Sequence, residues 1–370
     1  LSAKKHGIFR LGEAANSMPP QMFETLEEQG HSIGCVSAMN VDNRMKQPSY
    51  FIPDPWISTK TDGSFRSKMI HSSLRQAVND NSSGKLHLKT ILVLLFYLAT
   101  SSRIQNWPLY IKILLRIAGK KRWNKALFLD LFLSDLHIKL HRKKRPMLSV
   151  VFFNAFAHIQ HHYFFSSNYY VGALKNPEWY IDAETDPFTD ALDVYDRIFK
   201  DILYEFGNSK ILIATALQQE PFDVKKYYYR LKNHKEFLAL LGFDKIRIHP
   251  RMTRDFLVEA DTREEINEVY ETLVALELNG LRIFGTLDKK GNSLFVTLTY
   301  PNEIHATDKI KIGSRELRVT DHFVFVALKN GKHDQLGTIF SNTGGPKFDG
   351  ISGSHVASLY NHVMEHFDEL

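Results

Sequence analysis

The apolar run at 152–165, FFNAFAHIQHHYFF, contains four polar side chains that could bind a metal or move a proton. Asn154 and His158 are four residues apart, and His161 and His162 follow within one further helical turn. Side chains at this spacing share one face of a helix. Imidazole is the commonest protein ligand for metals and the side chain that titrates nearest neutral pH. The run therefore predicts a metal site or an acid–base site, with hydrogen-bonded structural histidines as the alternative.

A pair of glutamines, Gln218 and Gln219, follows a second apolar run, KILIATAL at 210–217. Amide side chains are poor ligands for zinc, but they both donate and accept hydrogen bonds. They are therefore good partners for an anion or a sugar. We predict that this pair contacts substrate, and an ordinary polar loop is the alternative.

Two other segments place candidate residues in loops. Asp54 lies between two prolines, with Trp56 beside it, in YFIPDPWISTKTDG at 50–63. Proline fixes the backbone angle φ and so pre-organises the side chains around it. We predict that Asp54 and Trp56 contact substrate, with a structural loop as the alternative. His333 lies in a glycine-flanked loop ahead of the strand-like residues GTIF.

The elements that must position these residues alternate between strand and helix. HSIGCVSAM at 31–39 indicates a buried strand, and RPMLSVVFFNAF at 145–156 indicates a central strand. A helix over 186–207 begins with an Asp-Pro pair, and KILIATAL then indicates another buried strand. This order predicts an α/β fold with a mostly parallel sheet and helices on both faces. Ligands in such folds bind beyond the carboxyl ends of the strands, where the polar residues lie.

The domain prediction follows from changes of pattern along the chain. Residues 1–243 and 326–370 are expected to form the α/β core, with 84–140 as a helical insertion of two or three helices. Residues 244–325 contain a Thr-x-x-Glu capping box and two glycine turns between strand-like runs. We expect this region to be a smaller α+β insertion.

Composition limits the partners. The 370 residues carry a net charge of +6 and a pI near 9.1, which fits an anionic ligand or surface. The basic cluster at 141–145 is typical of a solvent-exposed loop, so we expect no nucleic-acid partner. The apolar run 91–99 is too short to span a bilayer, and no transmembrane segment is expected. The remaining hypothesis is a membrane-surface or polysaccharide-assembly protein that makes peripheral contact with lipid through 84–145.

Cysteine usage and the amino-terminal sequence bear on location. The chain has one cysteine, Cys35, so an intrachain disulfide cannot form. Cys35 lies in an apolar segment, and we predict a buried, small apolar side chain. No signal peptide is visible, and together these features favour a cytoplasmic location.

Taken in order, these segments resemble the alkaline phosphatase superfamily, most closely its nucleotide pyrophosphatase/phosphodiesterase and sulfatase-like branch. Lys5-His6-Gly7-Ile8 looks like the His-Gly-Ile that follows the family's nucleophile segment. Asn154-Ala-Phe-Ala-His158 looks like the Asp-x-x-x-His that supplies ligands of one metal. Gly331-Lys332-His333, followed by Gly345-Pro346-Lys347-Phe348, is similar to the family's Gly-x-His-Gly loop and Gly-Pro-x-Phe segment.

The chain departs from the family pattern at three places. Asn154 replaces a carboxylate. Leu217-Gln218-Gln219 stands where the family has Asp-His-Gly, so the second metal site is not expected to hold zinc. The family's first metal-binding Asp and its Thr or Ser nucleophile precede His-Gly-Ile. We therefore expect both to lie upstream of residue 1, and the alternative is that the protein lacks them.

The resemblance implies a metal-dependent hydrolase of phosphate or sulfate esters, acting on a glycan, nucleotide or lipid head group. It implies one divalent metal, zinc ahead of manganese or calcium, held by Asn154, His158 and His333. His161 and His162 are then candidates for proton transfer or for a replacement ligand. The alternative is a catalytically degenerate member that binds an anionic or carbohydrate ligand without turnover.

Overall fold

The computed structural model of the protein describes most of the chain, in two compact units. The described residues are 20–39, 41–57, 59–79, 87–215, 217–251, 254–313, 315–342 and 355–369. The predicted segments at 5–8 and 345–348 lie outside them. The helical unit comprises the described parts of 10–169, 184–220 and 333–370, and the β-rich unit contains 170–183 and 221–332.

Helices and strands are named in chain order. The helices are α1 (Met22–Glu28), α2 (Phe65–Asn79), α3 (Leu88–Ser101), α4 (Trp107–Ala118), α5 (Asn124–Lys144), α6 (Ala155–Tyr163), α7 (Pro187–Phe206), α8 (His234–Leu240), α9 (Arg263–Val274), α10 (Val319–His322) and α11 (Ser358–Asp368). The strands are β1 (Ile33–Val36), β2 (Tyr50–Ile52), β3 (Leu148–Val151), β4 (Leu212–Ala214), β5 (Gln218–Leu231), β6 (Arg247–Pro250), β7 (Asp255–Glu259), β8 (Glu277–Leu278), β9 (Leu281–Arg282), β10 (Thr286–Lys290), β11 (Ser293–Thr297), β12 (Lys309–Ile312), β13 (Arg315–Arg318), β14 (Phe323–Asp334) and β15 (Ile339–Ser341).

A small parallel sheet lies at the centre of the helical unit. Its strand order is β2–β1–β3, and both pairings are parallel. Every residue of β1 is buried, as expected for a strand covered on both faces. Cys35 in β1 lies between Phe51 and Val150 in register and is fully buried, which confirms its predicted apolar role.

The predicted fold class is wrong, because this parallel sheet has only three strands and several other described sheets are antiparallel. The apolar run at 210–217 yields the short, half-exposed strand β4, which pairs antiparallel with β15. An apolar run indicates a strand but does not encode the direction of its partner. The run at 145–156 gives β3, which lies at the edge of the parallel sheet and not at its centre.

Three α-helices, α3, α4 and α5, lie in the described part of the predicted helical region. The longest, α5, has 21 residues and packs against α3, α4, α6 and α7. Its last turn contains the basic residues 141–144, which the sequence placed in a loop. Cations at this position interact favourably with the helix dipole, and Arg142 also pairs with Glu205 of α7. No helix in the described ranges is long and apolar enough to cross a membrane.

The β-rich unit has its own core. Its largest sheet is antiparallel, in the order β10–β11–β7–β6. Helix α9 packs on this sheet and begins with the predicted capping box, in which Thr262 and Glu265 bond reciprocally. Phe237, Phe256 and Phe284 are almost completely buried in the core.

Candidate functional site

The predicted histidine segment forms helix α6. Asn154 precedes its first turn, and the Asn154 carbonyl accepts the His158 N–H at 3.0 Å. The His158 and His162 rings, one helical turn apart, lie 4.7 Å apart between centroids. The His161 ring lies 6.3 Å from that of His162. The helix thus gathers three imidazoles, as the spacing predicts.

One of these histidines contacts a residue far along the chain. His161 Nε2 lies 2.9 Å from His333 Nε2, across a sequence separation of 172 residues. Gln219 Nε2 lies 3.0 Å from the same His161 nitrogen. We name His161, His333 and Gln219 the histidine–glutamine cluster. All three belong to the helical unit.

Paired strands position two members of this cluster. Strands β5 and β14 form a two-stranded sheet. Gln218, the first residue of β5, donates from Nε2 to Oδ2 of Asp334, the last residue of β14, at 2.7 Å. Gln219 and His333 are the next residues inward on each strand. The glutamines therefore begin a strand here, in place of the polar loop that was the alternative to substrate contact.

The cluster has the donor atoms for a cation. A neutral imidazole carries a lone pair on one nitrogen, so the close Nε2 contact needs one donor and one acceptor. Gln219 Oε1 is buried, and no hydrogen-bond partner is recorded for it among the described residues. Rotation of the amide would turn that oxygen towards His161. One imidazole nitrogen and one amide oxygen would then both lie beside His161 Nε2.

The described residues contain no group of three or more His, Cys, Asp or Glu side chains that could hold a metal. A cation in this cluster would thus rely on two histidines and an amide. The sequence assigns His158 to the same site as His333, whereas the structure places His161, three residues later, in hydrogen-bond contact with His333. Variants at each position can separate the two assignments.

Asn154 and Trp56 both line a small cavity beyond the ends of the parallel strands. The cavity measures about 20 Å³ and is also lined by Ser37, Asp130 and Phe152. Ser37 follows β1, Trp56 follows β2, and Phe152 follows β3. The site is therefore where α/β sheets place their ligands, although this volume admits only about one water molecule.

Asp54 is fully buried in the loop beside this cavity. Its Oδ1 accepts the Trp56 N–H at 2.8 Å. His71 also lies against this loop, with a hydrogen bond to the backbone at Asp54. These contacts order the loop, as expected for a structural role. Substrate contact by Asp54 and Trp56 stays a prediction.

Asp130 is a buried acid that the sequence reading missed. Its Oδ2 accepts the Tyr195 hydroxyl at 2.6 Å and the Ala155 N–H at 2.7 Å, which fixes the start of α6. Burial raises the pKa of the Asp130 carboxyl to about 6, and these hydrogen bonds oppose the shift. An acid within the apolar stretch LFLDLFL of α5 is the signal that could have found it.

The raised pKa of Asp130 makes the free energy of unfolding depend on pH. The folded protein binds this proton more tightly than the unfolded chain, so the stabilisation is complete below about pH 3.8 and is lost as pH rises through about 6. We expect Asp130 to contribute a fall of about 3 kcal/mol in the free energy of unfolding over that interval. Asp130→Asn keeps an oxygen acceptor and should remove this component.

Urea denaturation of the wild type and of Asp130→Asn, at several pH values from 4 to 7.5, measures the component directly. Burial also raises the pKa of the Asp135 carboxyl to about 6. Asp135 is present in both proteins and therefore contributes equally to the pH dependence of their stability. The difference between the two curves therefore isolates Asp130. Parallel curves would contradict the assignment.

Comparison with known proteins found no match. No family model, no curated protein and no solved structure matches this chain. The resemblance to the alkaline phosphatase superfamily thus stays a prediction from sequence motifs. The function must be inferred from the contacts of the described side chains.

Proposed function

We propose that this protein is a metal-dependent hydrolase of phosphate or sulfate esters on a glycan, nucleotide or lipid head group. The observation that carries the proposal is the convergence of His161, His333 and Gln219. They come from three segments distant in sequence, and the motif resemblance assigned each segment to metal or substrate binding. Convergence of distant polar side chains is what a functional site requires.

The donor set fits a divalent metal with open positions. His161 and His333 would hold the metal, and the amide oxygen of Gln219 would be a third ligand or a hydrogen-bond acceptor beside it. Imidazole nitrogens suit zinc, and an amide oxygen also suits manganese or calcium. A metal so held supplies charge stabilisation for the ester oxygens. His162, whose ring packs on His158, stands on the same helix as a candidate proton donor.

A second candidate function is binding of an anionic or carbohydrate ligand without turnover. The observation that favours it is the lack, among the described residues, of any three His, Cys, Asp or Glu side chains placed around one metal. The cluster would then act through hydrogen bonds from its imidazole and amide groups.

We also propose peripheral contact with a lipid surface through 84–145. The support is the large number of exposed apolar side chains on the described helices of this region. Such contact is compatible with either of the two functions. It would bring the protein close to esters carried by lipid head groups.

Elemental analysis of full-length protein, purified without chelator, tests the hydrolase proposal when combined with turnover assays. We expect about one metal ion per chain and chelator-sensitive hydrolysis of a nitrophenyl phosphate, phosphodiester or sulfate. Zinc, manganese and calcium should each be tried after removal of the metal. Protein that lacks metal and hydrolyses none of these esters would overturn the proposal and favour the binding function.

A further inference from the structure

Two helices of the helical unit turn apolar side chains towards solvent. On α3, Leu88 is 71% exposed and Phe96 is 60% exposed, with Leu92 and Leu95 between them. These positions follow the spacing that normally marks the buried face of a helix. The sequence around α4 repeats the pattern; its exposed apolar residues are Ile104, Trp107, Ile111, Leu114 and Leu115.

The opposite faces of both helices are packed. Tyr97 and Leu98 of α3 are buried, and so are Tyr110 and Ile113 of α4. Helix α3 packs on α2 and α5, and α4 packs on α5. The exposed apolar residues therefore lie on a second, outward face of anchored helices. We call these outward faces of α3 and α4, with Ile104, the apolar face.

The segment that carries the apolar face has charged residues of one sign only. From 81 to 129 the sequence has nine Lys or Arg residues and no Asp or Glu. Lys112 and Arg116 of α4 pair with acids of α7. Lys89, Lys120 and Arg122 are exposed, and no ion pair of their side chains is recorded among the described residues. An apolar stripe bordered by cations complements an anionic bilayer surface.

A groove beside α4 has both apolar walls and basic side chains. It has a volume of about 550 Å³ and is open to solvent. Its apolar walls include Pro108, Ile111 and Leu115, and its basic lining includes Lys112 and Lys121. Alkyl stems of lysine can cover apolar surface while the amines stay at the level of phosphate groups. The groove thus suits the glycerol and phosphate region of a phospholipid.

We propose that the apolar face inserts into the interfacial layer of a bilayer that contains anionic phospholipids. This inference rests on the proposed lipid contact of 84–145, and it adds the inserting residues and the lipid class. The apolar side chains enter the boundary between head groups and acyl chains. The exposed cations stay at the phosphates and select anionic lipid. Burial of Phe96 and of the leucines of the apolar face contributes a hydrophobic term to the binding free energy, and salt does not screen that term.

Flotation of full-length protein with vesicles tests the proposal. Vesicles of phosphatidylcholine alone are compared with vesicles that contain phosphatidylglycerol. The wild type should float with the anionic vesicles, more weakly with the neutral ones, and retain part of its binding in high salt. Leu92→Glu combined with Phe96→Glu should lower the partition coefficient at least about tenfold, because two large apolar groups no longer enter the interface.

A matched control carries the same added charge elsewhere. Tyr204 and Leu336 are exposed apolar residues outside the apolar face, so Tyr204→Glu with Leu336→Glu should bind as the wild type does. Lys89→Glu with Arg122→Glu should remove the preference for anionic vesicles. Circular dichroism confirms that each variant is folded.

The outcomes distinguish whether the protein binds lipid at all from whether it binds through the apolar face. A wild type that binds no vesicle contradicts the lipid contact itself. A wild type that binds, with the Leu92–Phe96 variant binding equally well, contradicts only the assignment to the apolar face. A lipid-free dimer that this variant converts to a monomer, without vesicle binding, would assign the face to a second copy of the chain.

Discussion

Replacing either His161 or His333 by alanine is expected to lower the affinity of the protein for zinc by more than about 100-fold. Loss of a group that only orients a metal ligand costs 10–100-fold, and loss of a ligand should cost more. The two nitrogens are 2.9 Å apart, so each substitution removes one of two imidazoles from the same point. Competition with a fluorescent zinc chelator measures the affinity.

Two further alanine variants complete this test. His305 is exposed in the β-rich unit, so His305→Ala should leave zinc affinity unchanged. His158→Ala separates the sequence assignment from the structural one. Loss of zinc on His158→Ala, with His161→Ala unaffected, would restore the ligand set that the sequence implies. Unchanged affinity in the His161 and His333 variants would contradict the cluster as a metal site.

Asn106→Ala is expected to lower the free energy of unfolding by about 3–5 kcal/mol. Asn106 is fully buried, and its Nδ2 donates to Asp135 at 2.7 Å and to Asp201 at 2.8 Å. Its Oδ1 accepts from Arg197 Nε at 2.6 Å. Alanine removes a donor from each of two nearly buried carboxylates and leaves a void between α4, α5 and α7.

Urea denaturation followed by circular dichroism measures the effect of Asn106→Ala. Asn208, an exposed asparagine just after α7, provides the matched control. Asn208→Ala should change stability by less than about 0.5 kcal/mol. A loss of under 1 kcal/mol for Asn106→Ala would mean that the carboxylates find other donors, and that this network does not hold the helices together.

Local signals in the sequence predicted individual elements well. The Asp186-Pro187 pair marks the start of α7, and the structure shows Asp186 accepting the Phe188 N–H at 2.8 Å. The capping box of α9 was equally clear. Both signals involve residues within three positions of each other, so tertiary contacts do not have to be known.

Sheet topology could not be read in the same way. The apolar runs that yield β1 and β4 look alike in sequence, yet β1 joins a parallel sheet and β4 pairs antiparallel with β15. Pairing depends on partners far along the chain, which a local pattern does not specify. Strand β5 was missed because Pro221 and the charges after it are typical of a loop.

The candidate site was predicted in part. Sequence motifs selected α6, the Gln218–Gln219 pair and His333, and the structure brings residues of all three segments into contact. The orientation of α6 about its own axis decides which imidazole contacts His333. That orientation depends on how α6 packs against the rest of the helical unit. The acid within LFLDLFL marks Asp130 as unusual, but its partners Tyr195 and Ala155 lie far along the chain and no local pattern indicates them.

The burial of Cys35 gives the protein a reporter of its own unfolding. Only the thiolate reacts with alkylating reagents, and burial raises the pKa of this thiol to about 12. Cys35 is also the one cysteine of the chain and lies on the central strand of the parallel sheet. Modification therefore requires that sheet to open. The rate of alkylation under native conditions would report how often it does so, without any engineered label.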